Sequence, residues 1–121
     1  MPDSDLSREL PIAELKAELF KAIGHPLRIR LLEQLVVGEC SVGVLAERLG
    51  VELGGVSQQL AVLRRAGIVI TRRDGTTVHY SLRDPAMVEL LTVARGMLVS
   101  NLRDSRALLA ELEAPASLGR S

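Results

Sequence analysis

A mainly α domain carrying one small β-hairpin is the fold class this sequence predicts, on three observations. Apolar residues recur at three- and four-residue steps over most of the chain. Two β-rich runs, 68–73 and 76–82, flank the turn dipeptide Asp74-Gly75. The length of 121 residues, with 47% apolar and 25% charged, suits one core rather than two.

Residues 1–11 are polar and are expected to form a flexible N-terminal arm ahead of a structured domain over 12–113. Pro11 suits the first turn of a helix in which Ile12, Leu15, Leu19 and Ile23 follow at helical spacing. That helix should end at Gly24-His25-Pro26. Pro26 opens a second helix, with Leu27, Leu31, Leu32 and Leu35 as its apolar stripe and Gly38 as its stop. Ser41 is a good N-cap for a short third helix carrying Val42, Leu45 and Leu49 and closed by Gly50. A fourth helix is expected over 54–66, with Val56, Leu60 and Leu63 inward and Gly67 at its C′ position.

Two short helices joined through a glycine and followed by a β-ribbon are the layout of a winged helix-turn-helix. A type I′ turn at Asp74-Gly75 would pair Arg73 with Thr76. Val69 would then face Tyr80, Thr71 would face Val78 and Ile70 would face His79, with the Val69 and Thr71 face turned to the helices. From Asp84-Pro85 onward Met87, Leu90, Leu91, Ala94, Met97, Leu98, Leu102, Leu108, Leu109 and Leu112 return to helical spacing. This fifth helix is longer than so small a domain can cover. Its apolar stripe, with Leu15 and Leu19 of the first helix, therefore predicts a homodimer with an interface built from Leu15, Leu19, Leu90, Leu91, Ala94, Met97, Leu98 and Leu102. Residues 114–121 are expected to form a flexible C-terminal tail.

Composition removes several classes of function. Phe20 and Tyr80 are the only aromatic residues, too few for the stacking platforms of single-strand and RNA readers. The longest uncharged stretch, 53–63, is shorter than the ~18 residues of a membrane span. An acidic N-terminus lacks the basic start of a signal peptide, so a cytoplasmic protein without membrane association is expected. One cysteine, Cys40, permits no disulfide within the chain. No Gly-rich phosphate loop or carboxylate cluster marks an enzyme, and no cofactor is expected.

Net charge is zero, yet five arginines (Arg64, Arg65, Arg72, Arg73, Arg83) stand against the single acid Asp74 over 54–83. A basic patch on an otherwise acidic chain is the footprint of a nucleic-acid binder. Opposite the apolar stripe of the fourth helix fall Gly54, Gln58, Ala61 and Arg65, with Ser57 and Gln59 on the flanks. Gln58 is the best base reader, because its amide both donates to and accepts from an adenine edge in the major groove. Ser57 and Gln59 suit phosphates or bases, Arg64 and Arg65 suit phosphates, and Arg72, Arg73, Thr76 and Thr77 on the wing suit backbone or minor groove.

Four segments now carry a resemblance: 19–32 (LFKAIGHPLRIRLL), 41–50 (SVGVLAERLG), 56–69 (VSQQLAVLRRAGIV) and 72–82 (RRDGTTVHYSL). In this order they resemble the ArsR/SmtB family of bacterial repressors, over about residues 15 to 84. The resemblance implies a dimeric winged-helix protein that binds double-stranded DNA and blocks transcription until an inducer arrives. Two-fold symmetry implies an inverted-repeat operator. Where many relatives carry hydroxyl or amide residues this chain has Leu53-Gly54-Gly55. Either the backbone N–H groups at this helix start replace the missing side-chain contacts, or the glycines only loosen the turn.

The family's usual inducer sites are missing. At the Cys-x-Cys positions of arsenic- and lead-type members stand Ser41 and Gly43, with Cys40 just before them. The last-helix ligands of zinc-, nickel- and cobalt-type members fall on Asp84, Ala86, Met97 and Ser100, of which only Asp84 is a ligand. Asp84 reads more simply as an N-cap, His25 as a turn residue and His79 as a solvated residue on the wing. No metal site is expected and the inducer stays open. A non-standard metal or thiol sensor using His25, His79, Cys40 or N-terminal acids, or a winged-helix module for protein association, remain the alternatives to a DNA-binding repressor.

Overall fold

The computed structural model describes residues 2–114, with the backbone alone for 2–8 and 10; residues 115–121 of the expected tail lie outside it. In chain order the elements are α1 (Pro2–Ile23), α2 (Pro26–Val37), β1 (Cys40–Ser41), α3 (Val42–Leu49), α4 (Leu53–Arg65), β2 (Val69–Asp74), β3 (Thr77–Leu82) and α5 (Ala86–Glu113). Two compact units result, one ending at Pro85 and one formed by α5 from Ala86 onward.

The core of the first unit is aliphatic. Leu31, Leu32, Leu45, Val56, Leu60 and Leu63 are completely buried, and Val69 nearly so. These are the stripes expected of α2, α3 and α4, which pack on one another and on the sheet.

The helix boundaries follow local chemistry. His25, in extended conformation, caps α2 by accepting Leu27 N–H on Nδ1 at 3.1 Å, with Pro26 at the first helical position. Ser41 caps α3, accepting Val44 N–H on Oγ at 3.3 Å. The stops of α3 and α4 are the same motif. Gly50 (φ 64°) and Gly67 (φ 76°) turn left-handed, Gly50 N–H donates to Glu47 O and Gly67 N–H to Arg64 O. Val51 N–H and Ile68 N–H then reach back to Ala46 O and Leu63 O. Both are Schellman closures, and in the second Ile68 and Leu63 are both buried.

Three features differ from the sequence expectation. The first is that α1 begins at Pro2, not after Pro11, so residues 2–11 continue the helix and Pro11 lies inside it. The segment opens with a proline and has acids in its first turn, a composition that suits a helix start, and Pro11 removes only one backbone bond.

The second is a third strand. β1 pairs antiparallel with β3, Cys40 opposite Tyr80 and Ser41 opposite His79, giving the order β1-β3-β2. His79 therefore sits half-buried on the central strand rather than solvated on the edge of a ribbon.

The third is the hairpin register. Asp74 pairs with Thr77, Arg73 with Val78, Arg72 with His79, Thr71 with Tyr80, Ile70 with Ser81 and Val69 with Leu82. The two-residue turn is thus Gly75-Thr76, not Asp74-Gly75. A type I′ turn would force Asp74 to positive φ, whereas here Gly75 alone has it (63°), the pattern of a II′-type turn with glycine first. A slip of two positions keeps every side chain on its expected face, so Val69 and Thr71 still share a face with Val78 and Tyr80.

As a 28-residue helix, α5 extends about 42 Å. Val93, Met97, Leu98, Leu102, Leu108, Leu109 and Leu112 along it are exposed. Among the described residues no helix is long and apolar enough to cross a membrane.

Candidate nucleic-acid interface

Burying Val56, Leu60 and Leu63 orients α4 and turns its opposite side outward. Gly54, Ser57, Gln58, Arg64 and Arg65 are exposed, while Gly55, Gln59 and Ala61 are half-buried on the flanks. On the wing, Arg72, Arg73, Thr76 and Thr77 are all exposed. Arg64 and Arg65 share one surface depression with Ala61 of α4 and Tyr80 of β3, which brings the helix arginines beside the sheet. The polar face foreseen on α4 is therefore continuous with basic residues at its C-terminal end.

The α4 N-terminus is open. Glu52 holds the N-cap position in extended conformation but makes no side-chain capping bond. Neither Gly54 nor Gly55 has positive φ. A Cβ at Gly54 would meet nothing within 4 Å, and one at Gly55 only Val51 Cγ1 at 3.7 Å. Among the described residues nothing requires either glycine, although glycine in a helix costs up to ~1 kcal/mol relative to alanine.

Two predicted contacts are engaged within the chain. Arg72 makes a bidentate ion pair with Glu39, Nη2–Oε1 2.7 Å and Nε–Oε2 3.1 Å, tying the wing to the link between α2 and β1. The Arg72 hydrogen bonds, with its charge, hold the Glu39 carboxyl below the usual carboxylate range, while Glu39 raises Arg72. Because the folded-state pKa of Glu39 is depressed, whatever the pair adds to stability is present above the ordinary carboxylate range. It is lost only as pH falls through that depressed value, so the pair stays intact at neutral pH. Gln59 Oε1 accepts Arg28 Nη1–H at 2.8 Å. Arg28 also donates from Nε to Ala22 O at 2.6 Å and from Nη2 to Lys21 O at 3.4 Å, joining the end of α1 to α4.

Sequence reasoning missed both Glu39 and Arg28. Their partners lie 33 and 31 positions away, beyond any helical or strand period. The motif segment 19–32 contains Arg28, but nothing local in it points to Gln59.

Of the residues considered for sensing, His25 is a cap, and buried Cys40 accepts Arg48 Nη1–H on Sγ at 3.2 Å. Among the described residues no three His, Cys, Asp or Glu side chains gather where a metal ion could be held.

Comparison with known proteins matches this arrangement. A helix-turn-helix domain model matches residues 23–72. The HTH-type transcriptional regulator Rv0081 of Mycobacterium tuberculosis is 50% identical over 108 residues, spanning 88% of this chain and 95% of the relative. Its crystal structure superposes with a TM-score of 0.73 at 51% identity, covering 78% of this chain and 96% of that one. The transcriptional repressor BigR from Xylella fastidiosa is 36% identical with a TM-score of 0.67, covering 80% of this chain and 96% of that one. A homodimeric winged helix-turn-helix DNA-binding domain from Mycobacterium bovis is 26% identical with a TM-score of 0.73, covering 80% and 90%. At 50% identity to a regulator over 88% of its own length and 95% of the relative's, this chain belongs to the winged helix-turn-helix family of transcriptional regulators.

Proposed function

We propose that the protein is a homodimeric repressor of the ArsR type that reads an inverted repeat in double-stranded DNA through α4 and the β2–β3 wing. The observation that carries this reading is the outward face of α4, with Ser57 and Gln58 exposed opposite a fully buried stripe and Arg64 and Arg65 at its end. The unforced glycines 54 and 55 fit it, because a helix start without side chains lets phosphates approach the backbone N–H groups closely. A regulator acting on DNA works in the cytoplasm, where the sequence expectation placed it.

Dimerisation is supported by the apolar residues left uncovered. Leu15 and Leu19 of α1 are 70% and 40% exposed; Met97, Leu98 and Leu102 of α5 are 63–64% exposed. Leu90 and Leu91 are half-buried and Ala94 is exposed. The homodimeric Mycobacterium bovis relative is consistent with this.

Gln58→Ala should lose preference at one base per half-site, costing ~1–3 kcal/mol on the selected sequence, whereas Arg73→Ala should weaken all sequences alike and lower the salt slope by about one. Shift assays on a selected and a scrambled duplex decide it. Equal losses on both for Gln58→Ala would remove the base-reading role, and binding to neither duplex by the wild type would favour the protein-association alternative.

The Glu39 pair changes what is expected of Arg72. A carboxylate already occupies its guanidinium, so Arg72 acts first as the strut of the wing. Glu39→Gln should leave the fold intact and free Arg72 for phosphate, steepening the salt dependence of binding by about one ion. A salt slope unchanged from wild type would show that Arg72 reaches no phosphate even when released.

A further inference from the structure

The sequence leaves Gln59 of α4 open to phosphates or bases, and the structure separates it further from its neighbour Gln58. Gln58 is exposed, and among the described residues no protein group fixes its amide. Gln59 is half-buried and its oxygen is held by Arg28. A guanidinium has only donors, so the amide atom facing it must be Oε1, and this assignment follows from chemistry rather than from the similar shapes of the two amide arms.

Arg28 cannot follow Gln59 outward. Its Nε and Nη2 are anchored on Ala22 O and Lys21 O. These are last-turn carbonyls of α1, which have no partner within their own helix and attract a cation. One guanidinium thus spans two helices, with three nitrogens on three acceptors.

We propose that Arg28 is a positioning residue that locks the Gln59 amide with its nitrogen outward. Gln59 then presents N–H donors only, which suits the acceptor-only oxygens of a DNA phosphate and removes its ability to recognise a base edge by donating and accepting together. Gln58 reads sequence and Gln59 grips backbone, a division made by a residue outside the interface. This rests on the reading that α4 faces DNA.

The test uses the full chain, a duplex enriched by the wild type from a randomised library, and a scrambled duplex. Gln59→Ala should weaken both duplexes alike, by roughly five- to tenfold. Arg28→Ala should also weaken both alike, and the double variant should bind no more weakly than the weaker single variant, because Arg28 acts through Gln59. Losses that multiply in the double variant, an Arg28→Ala protein that binds as wild type, or a Gln59→Ala loss confined to the enriched duplex would each overturn the assignment. Should Arg28→Ala fail to fold, Gln59→Glu decides, since it keeps an oxygen for Arg28 and removes the N–H donors. It should unfold no earlier than wild type yet bind both duplexes more weakly than Gln59→Ala; binding as tight as that of Gln59→Ala would overturn the outward nitrogen. Failure of the wild type to enrich any duplex would instead remove the DNA reading, and this inference with it.

Discussion

Leu98→Glu should turn the dimer into a monomer. In the single chain Leu98 is 63% exposed, so an acid there should alter the stability of an isolated copy by no more than ~0.5 kcal/mol. In a two-fold seam the same patch meets itself, and each dimer would bury two carboxylates without partners. Several kcal/mol per unpaired buried charge corresponds to a dissociation constant raised by at least ~1000-fold. Sedimentation equilibrium should show a dimer for the wild type and for Leu98→Met, and a monomer for Leu98→Glu at the same concentration. Operator affinity should fall with it, because a monomer engages one half-site only. A Leu98→Glu protein that remains dimeric would place the seam elsewhere on the chain.

What the sequence made legible was local chemistry. Pro26 marked a helix start by its fixed φ and missing N–H, Ser41, Gly50 and Gly67 marked helix ends through bonds to residues three positions away, and the Val56, Leu60 and Leu63 stripe oriented α4. These signals survive because a capping bond or a helical face needs only its own segment. The α1 start lies upstream of Pro11 because proline, which favours a helix start, is also tolerated inside a helix at the loss of one bond. β1 has two residues and exists only through its pairing with β3, so no periodicity could announce it. The turn was shifted because Asp74-Gly75 and Gly75-Thr76 both satisfy a two-residue loop, and avoiding positive φ at Asp74 selects the latter. The same limit applied at the candidate interface. The α4 residues were placed by helical geometry, whereas the engagement of Arg72 by Glu39 and of Gln59 by Arg28 depends on how distant segments come together.

Leu60→Ala should produce a large loss of stability. Leu60 is fully buried, between Val56 and Leu63 on the stripe that attaches α4 to the rest of its unit. Leucine-to-alanine changes at such sites cost ~2.7–5 kcal/mol, the lost transfer free energy plus a cavity that neighbours fill only in part. Total stability for a domain is ~5–15 kcal/mol, so this one change removes a large share of it. Thermal unfolding followed by circular dichroism, at fixed protein concentration because a dimer's midpoint depends on it, should fall by roughly 10–20 °C. Leu60→Met, which nearly conserves volume, should cost less than ~1.5 kcal/mol, and Ser57→Ala, on the exposed side, less than ~0.5 kcal/mol. DNA binding separates the two faces. Excess operator binds only folded protein and should recover part of the lost midpoint for Leu60→Ala, since its reading face is intact. Gln58→Ala should show the opposite pattern, with a midpoint near wild type and a reduced gain from operator. A Leu60→Ala protein melting within about 2 °C of wild type would mean that α4 is not held by the close-packed stripe, and that its outward face is set by something other than burial.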